Sequence, residues 1–327
     1  MKISVVMCTY NGAEYIREQL DSILAQTLKP DEIIIQDDGS TDDTIQILRE
    51  YTKRDRSISI FQNDVQLGVN NNFYSALDKA TGDYIAISDQ DDLWDPQKLQ
   101  KQYEAIRDNE HWLCFHLSFQ FYGNIVPNNI IYDNRMPNFG IERILFKAII
   151  IQGHTMFFKK ELWLEFKKRM KPEFRNYFIY DNELAIVASL YGNIVCLPEC
   201  LVLHRRTEKS VTFLPQERSV KYQRSLKNGL AMLFRNISFS SRNSIKPLIR
   251  KRFEDMYAIL NSLDDIDKSS KSLKKLIYSY LGKFSFIKFP IELIKNRHRI
   301  FYTSENNEFI AVLRSILFNI QVYDYFR

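Results

Sequence analysis

The chain has 327 residues, 45% of them hydrophobic and 26% charged, which is ordinary for a folded globular protein of one large or two modest domains. No apolar run reaches the ~18 residues of a membrane-spanning helix, and Met1–Val5 is too short an apolar run for a signal peptide, so a cytoplasmic location is expected. The four cysteines are scattered; Cys196 and Cys200 lack a second close pair to complete a zinc site, and reduced thiols are expected.

The net charge of +5 conceals two surfaces. Residues 1–204 carry 21 Lys+Arg against 29 Asp+Glu, a net of −8, whereas residues 205–300 carry 22 against 8, a net of +14. The basic part suits nucleic acid, anionic lipid or a phosphorylated substrate.

In chain order, residues 3–8 form a continuous apolar run, as in a strand buried on both faces. Thr9-Tyr10-Asn11-Gly12 interrupts it, and Ile16, Leu20, Ile23 and Leu24 then recur at the helical period. A second strand, Glu32–Gln36, runs into Asp37-Asp38-Gly39-Ser40-Thr41-Asp42-Asp43, where Ser40 and Asp43 have capping-box spacing and predict a helix start. Ile58–Gln62 reads as a third strand. An Asn-rich helix ending near Gly82 follows, and strand Asp83–Ser88 runs into Asp89-Gln90-Asp91-Asp92-Leu93-Trp94. This alternation implies an α/β fold with a mostly parallel sheet and right-handed crossovers. Three polar loops then lie on one sheet edge, where ligands bind in open α/β sheets. No G-x-G-x-x-G or Walker A run is present, which disfavours dinucleotide and P-loop folds.

Beyond a helix at Asp95–Arg107, the pattern predicts a strand at Trp112–Tyr122, a loop at 128–140, and a helix leading into a strand across Ile141–Ile151. It continues with a strand at Gln152–Phe158, a helix at Lys160–Arg169, a helix from Tyr180 to about Tyr191, and two short strands at Asn193–Cys196 and Leu201–Arg205. From Gln216 onward, Lys and Arg alternate with apolar residues at helical spacing, with a linker at Leu263–Ser272.

Val6–Gly12, Asp37–Asp42 and Ser88–Trp94, in this order and spacing, resemble the family 2 glycosyltransferases of GT-A fold. Ser88-Asp89-Gln90-Asp91-Asp92-Leu93-Trp94 and Gly153-His154-Thr155-Met156-Phe157-Phe158 are similar to the family's rhamnosyltransferase-like branch. The resemblance covers roughly residues 1–212, leaving 213–327 as a basic, mainly helical region. It implies an inverting transfer from a nucleoside-diphosphate sugar to a saccharide hydroxyl, with Mg²⁺ or Mn²⁺ as cofactor.

The resemblance also assigns roles. Thr9, Tyr10 and Asn11 would line the nucleoside pocket, with Asp38 on the base and Asp37 supporting it. Asp91 would contact the metal, with Asp89 nearer the ribose or the metal's waters, and Asp92 would reach the donor sugar. Asp181 would be the catalytic base, with Glu183 as its rival. The segment after the last strand departs from the branch: Thr207 stands where a His is usual, so Arg205, Arg206 or His204 would supply a diphosphate or metal contact.

The chemistry needs these residue types. A departing diphosphate concentrates negative charge that a hard cation on carboxylates offsets, and an attacking hydroxyl needs one carboxylate to take its proton. The motifs also have plainer roles. Asp37–Ser40 and Asp89–Asp92 suit turns and helix caps, His154 suits a packed strand histidine, and Trp94 suits packing beneath the acidic loop. The basic region, with Phe284, Phe286 and Phe289, suits peripheral contact with an anionic membrane on the inner face of the cell and a lipid-linked acceptor; no nucleic-acid motif accompanies its charge. Two other functions use the same parts: a sugar-nucleotide-binding subunit without turnover, and a nucleotidyltransferase.

Overall fold

A computed structural model describes residues 1–108, 110–121, 144–145, 151–170, 179–206, 239–262, 268–300, 308, 312 and 315. The chain divides into two compact units: Met1–Met136 with Ile151–Lys168 and Phe178–Phe213, and Pro137–Ile150 with Arg169–Tyr177 and Leu214–Arg327. Among the described residues no helix is long and apolar enough to cross a membrane.

The first unit is built on one eight-stranded sheet. Its strands are β1 (Ile3–Thr9), β2 (Glu32–Asp37), β3 (Ile58–Gln62), β4 (Tyr84–Ser88), β5 (Leu93–Trp94), β6 (His111–Phe121), β7 (Phe157–Lys159) and β8 (Asn193–Arg205). Their order across the sheet is β3-β2-β1-β4-β7-β6-β8-β5. The β3-β2-β1-β4 half is parallel, β7 runs antiparallel to both β4 and β6, and β5 pairs antiparallel with β8. The helices are α1 (Ile16–Leu24), α2 (Thr44–Arg54), α3 (Val69–Lys79), α4 (Lys98–Ile106), α5 (Lys160–Arg169) and α6 (Tyr180–Tyr191).

The apolar runs explain the layers. Ile3, Val5, Val6 and Met7 of β1 and Ile85, Ala86 and Ile87 of β4 are fully buried, as strands covered on both faces must be. Ile16, Leu20 and Ile23 of α1 and Leu48 of α2 bury one helical face against the sheet core. Register brings Thr9 opposite Asp37 and Met7 opposite Ser88, so the loops after β1, β2 and β4 emerge at one edge.

Four local expectations differ from the structure. The capping box at Ser40 does not form: α2 starts at Thr44 with Asp43 as its cap residue and no side-chain cap bond, because Ser40 is drawn to Asp37 instead. Gln152–Phe158 is not one strand; Gly153–Thr155 form a 3₁₀ turn before β7. The two short strands around Pro198 are one strand, with a register irregularity where His116 pairs Leu197 and Leu117 pairs Cys200. That irregularity admits the proline, which cannot donate to a ladder.

The second unit contains α7 (Phe239–Ser262), α8 (Lys268–Leu281), α9 (Ser285–Lys295) and the short α10 (Arg297–Ile300). The fourth difference lies here: from Lys268 onward the expected linker is already helix. Residues 263–267 of that linker, the loop expected at 128–140, most of the helix-to-strand segment expected across Ile141–Ile151, and the segment 207–238 lie outside the described residues.

Candidate active site

The loop after β1 is held from below and from the side. Asn11 takes left-handed backbone with φ 48, and its side chain accepts from Thr41 N–H at 2.8 Å. Its own N–H donates to Ser40 Oγ at 2.8 Å. Gln90 clasps the same loop, accepting from Tyr10 N–H at 2.9 Å and donating to Tyr10 O at 3.1 Å. A Cβ on Gly12 would lie 2.3 Å from Gln90 Oε1, so any larger residue there would push the Gln90 amide off the loop. Tyr10 is left 44% exposed at this edge, available to a planar ligand.

Asp37 and Asp38 have separate duties. Asp37 is fully buried and accepts from Thr9 Oγ1 at 2.8 Å and from the N–H groups of Gly39 and Ser40 at 3.1 and 2.8 Å. Asp38 accepts from Asn63 Nδ2 and Leu67 N–H on Oδ1 and from Gly68 N–H on Oδ2, at 2.7 to 2.9 Å. The pair therefore knits the loops after β1, β2 and β3 into one rim. Thr9's hydroxyl is spent on Asp37, so its contribution to the rim is to hold that carboxylate.

Beside this rim lies the acidic loop. Asp89, Asp92, His154 and His204 each place one ligand atom within 4.8 Å of the others. His154 Nδ1 lies 3.2 Å from Asp89 Oδ2, and His204 Nδ1 lies 3.0 Å from Asp92 Oδ1. The two imidazoles stack with centroids 4.3 Å apart. Asp92 is fully buried; its Oδ1 also accepts from Arg205 N–H at 3.1 Å. Its Oδ2, like His154 Nε2, is buried with no hydrogen-bond partner among the described residues.

The charges agree with this geometry. Burial opposes ionisation of Asp89, but the bond from His154 and the charges of His154 and His204 hold its carboxyl below the usual range. Burial, then the carboxylates of Asp92 and Asp89, push Asp91 up to about 7. Burial depresses His204, and the bond to Asp92 outweighs it and raises its basicity. An acidic loop in which one member resists ionisation has an excess of negative charge, and it contains buried, unsatisfied oxygen and nitrogen atoms. Those donors fit a divalent cation with mixed oxygen and imidazole ligands.

Arg205 braces the loop from behind. Its Nε donates to Asp91 O at 3.0 Å and its NH2 group to Glu18 Oε2 at 2.6 Å, while the guanidinium lies 4.5 Å from the Tyr15 ring and 4.7 Å from the Phe121 ring. Arg206 is buried, with its N–H on Phe121 O at 3.0 Å. Thr207, the departure noted in the sequence, lies outside the described residues.

Asp181 opens α6 and is half-buried. Its Oδ2 accepts from Gly153 N–H at 3.1 Å, and its Oδ1 from the N–H and side-chain amide of Asn182 at 2.6 and 3.0 Å. Burial raises its carboxyl to about 6 against these bonds. Glu183 is fully buried and accepts from the Tyr74 hydroxyl, which removes it from the cleft. The Gly153–Thr155 turn is the link the sequence hid: Gly153 holds Asp181 while its neighbour His154 holds Asp89. A Cβ on Gly153 would lie 2.0 Å from the Tyr180 hydroxyl oxygen. From sequence His154 reads as a strand histidine; only its place in a G-H-T turn beside the acidic loop distinguishes it.

A parallel half-sheet whose edge carries a loop rim, an acidic loop and a carboxylate at a helix start is the architecture of the GT-A fold. Residues 4–164, just under half of the chain, match the family model described as Glycosyl transferase family 2. An uncharacterized protein of Mycobacterium tuberculosis is 31% identical over 219 residues, 62% of this chain and 58% of that protein, so the match spans little more than half of that relative's length. An uncharacterized glycosyltransferase of Haemophilus influenzae is 26% identical over 89% of this chain and 92% of its own. The putative teichuronic acid biosynthesis glycosyltransferase TuaG of Bacillus subtilis is 39% identical over 42% of this chain and 57% of its own.

Among solved structures, S. aureus TarS residues 1–349 in complex with UDP superimposes with a TM-score of 0.57 at 16% identity, covering 99% of this chain and 83% of that one. The mannosyltransferase PcManGT of Pyrobaculum calidifontis, in complex with GDP-Man and Mn²⁺, gives 0.53 at 16% identity, covering 98% and 84%. Both share the fold.

Proposed function

We propose that this protein is an inverting, metal-dependent glycosyltransferase. It moves a hexosyl or rhamnosyl group from a nucleoside-diphosphate sugar to a saccharide hydroxyl in the synthesis of a bacterial surface polysaccharide. The observation that carries the reading is the Gly153–His154 pair, which ties a base-type carboxylate, Asp181, to the acidic loop through Asp89. The teichuronic acid relative supports the polysaccharide setting, and the UDP and GDP-Man complexes of fold neighbours support a nucleotide-sugar donor. The rhamnosyltransferase-like form of the motifs supports the sugar class. A lipid-linked acceptor, with peripheral contact between the basic region and an anionic membrane, suits the charge of +14 over residues 205–300.

In this mechanism Tyr10 stacks on the base, and Asp38 holds the rim that encloses it. Asp91, Asp89 and the histidine-flanked Asp92 would hold the cation, a reading supported by the Mn²⁺ complex of a fold neighbour, the mannosyltransferase PcManGT. When bound, the cation neutralises charge on the departing diphosphate. Asp181 accepts the acceptor hydroxyl's proton. Its carboxyl, raised to about 6, is ionised near neutrality yet more basic than an ordinary aspartate. Gly153 and Asn182 N–H groups fix its orientation through the transfer. One displacement on the face opposite the leaving group inverts the anomeric centre, and a single carboxylate base suffices.

The test is a donor panel. Purified protein with Mn²⁺ should release nucleoside diphosphate from one of a set of UDP-, GDP- and dTDP-sugars, and Asp91→Ala should lose donor binding. Binding without release would instead mark a non-catalytic subunit. No release from any donor, with Asp91→Ala binding donors as wild type does, would overturn the reading.

A further inference from the structure

In the second unit α9 is apolar on two opposite sides. Phe289 and Leu293 are fully buried, and Phe289 meets the rings of Phe253 and Tyr280 edge-on, at 5.4 and 5.0 Å. Phe253 and Tyr280 stack on each other at 3.9 Å, closing a core among α7, α8 and α9. The opposite side of α9 is bare, with Ile287 and Ile291 51% and 47% exposed, and Phe286 in its first turn is 68% exposed. Ile287 and Ile291 lie one helical turn apart on one face, with Phe286 at its N-terminal end. Phe284, in the turn before α9, is 64% exposed, and Tyr278 of α8 is 59% exposed. Phe284 also takes left-handed backbone, φ 60, a conformation that favours glycine. A core-forming helix gains nothing from an aromatic residue there in water.

The charges around this surface divide into two sets. Lys275 and Lys295 both pair with Glu292, at 3.3 and 3.0 Å, Lys251 pairs with Asp255 at 2.8 Å, and Arg250 with Glu254 at 3.1 Å. Lys283 and Lys288, which flank the bare aromatic residues, are exposed and have no carboxylate partner among the described residues. An apolar surface beside unpaired ammonium groups is complementary to an anionic bilayer face, where rings enter the headgroup–acyl boundary and lysines meet phosphates. A second copy of the chain fits less well, because it would press like charges together. Among the described residues no helix can span the bilayer, so the contact is interfacial.

We propose that Lys283–Ile291 is a docking wedge for an anionic membrane leaflet. This deepens the membrane contact put forward above and rests on that reading for its setting. The experiment uses the full chain and vesicles of phosphatidylcholine with or without phosphatidylglycerol, scored by flotation. Wild type should float with the anionic vesicles and much less with the neutral ones. Phe284→Ser/Phe286→Ser should cut the partition coefficient at least tenfold. Lys283→Ala/Lys288→Ala should erase most of the preference for anionic lipid, about fivefold per lysine. Circular dichroism and melting of both variants should match wild type, since only exposed side chains change. Flotation unchanged in both variants, or a wild-type dimer in sedimentation that the Phe284→Ser/Phe286→Ser variant loses, overturns the wedge. Donor hydrolysis in vesicle-free solution by the same variants reports separately on the catalytic unit; its failure would count against the transferase reading and leave the wedge result standing.

Discussion

Asp181→Asn separates chemistry from folding. In the native state burial lifts the Asp181 carboxyl from 3.8 to about 6. The folded protein thus binds this proton more tightly than the unfolded chain does. Stability from this group is fully present below about pH 4, falls as pH rises towards 6, and stays low above that. The gap is worth ~3 kcal/mol at most, because the side chain is only half-buried. The asparagine variant carries no such penalty at pH 8, but one of its polar atoms must face Gly153 N–H or Asn182 N–H with less favourable pairing, costing about 1–3 kcal/mol. The two terms offset each other. The variant should therefore melt at pH 8 close to wild type, lack the wild-type decline in stability between pH 4 and 6, and transfer sugar at least ~10²-fold more slowly. Donor binding should persist. Thermal melts from pH 4 to 8 and a coupled nucleoside-diphosphate assay measure all three. Retained transfer together with a large loss of stability at pH 8 would show Asp181 to be a structural carboxylate and remove it as the base.

Asp91→Ala should abolish Mn²⁺-dependent donor binding in calorimetry while leaving the melting temperature equal or higher, since burial and two neighbouring carboxylates already push Asp91 to about 7. Asp92→Ala should differ by destabilising the fold, because the fully buried Asp92 carries His204 and the Arg205 N–H, and chemical denaturation would resolve the two. Gly12→Ala should weaken donor binding at least tenfold, because the new methyl, 2.3 Å from Gln90 Oε1, displaces the clasp on Tyr10; Gln90→Ala in the same background should restore part of it. Lys98 is fully buried with its Nζ 3.6 Å from the Trp94 ring centroid, and burial lowers its ammonium from 10.5 to about 7. Its contribution to wild-type stability should rise as pH goes from 7 to 10.5, and Lys98→Met should flatten that rise in pH-dependent melts.

The sequence by itself determined the parallel half of the sheet and the rim. Runs such as Ile3–Met7 and Ile85–Ile87 can only be strands buried on both faces, and alternation with amphipathic helices forces their loops to one edge. Thr9–Gly12, Asp37–Asp38 and Asp89–Asp92 were legible for that reason. The antiparallel half was less legible. Leu93–Trp94 is too short to announce a strand, and Pro198 interrupts the strand pattern of β8, yet the ladder accommodates it through an irregularity. Tertiary structure alone decided the partners across the site. His154 lies 65 positions from Asp89 and His204 lies 112 from Asp92, so no local spacing links them. The 3₁₀ turn before β7 delivers His154 to Asp89, and the end of β8 delivers His204 to the fully buried Asp92. Glu183 and Asp181 are equivalent in composition and two positions apart. Only packing sends one to the Tyr74 hydroxyl and leaves the other against Gly153 with its carboxyl raised, because a helix start turns successive side chains to different faces.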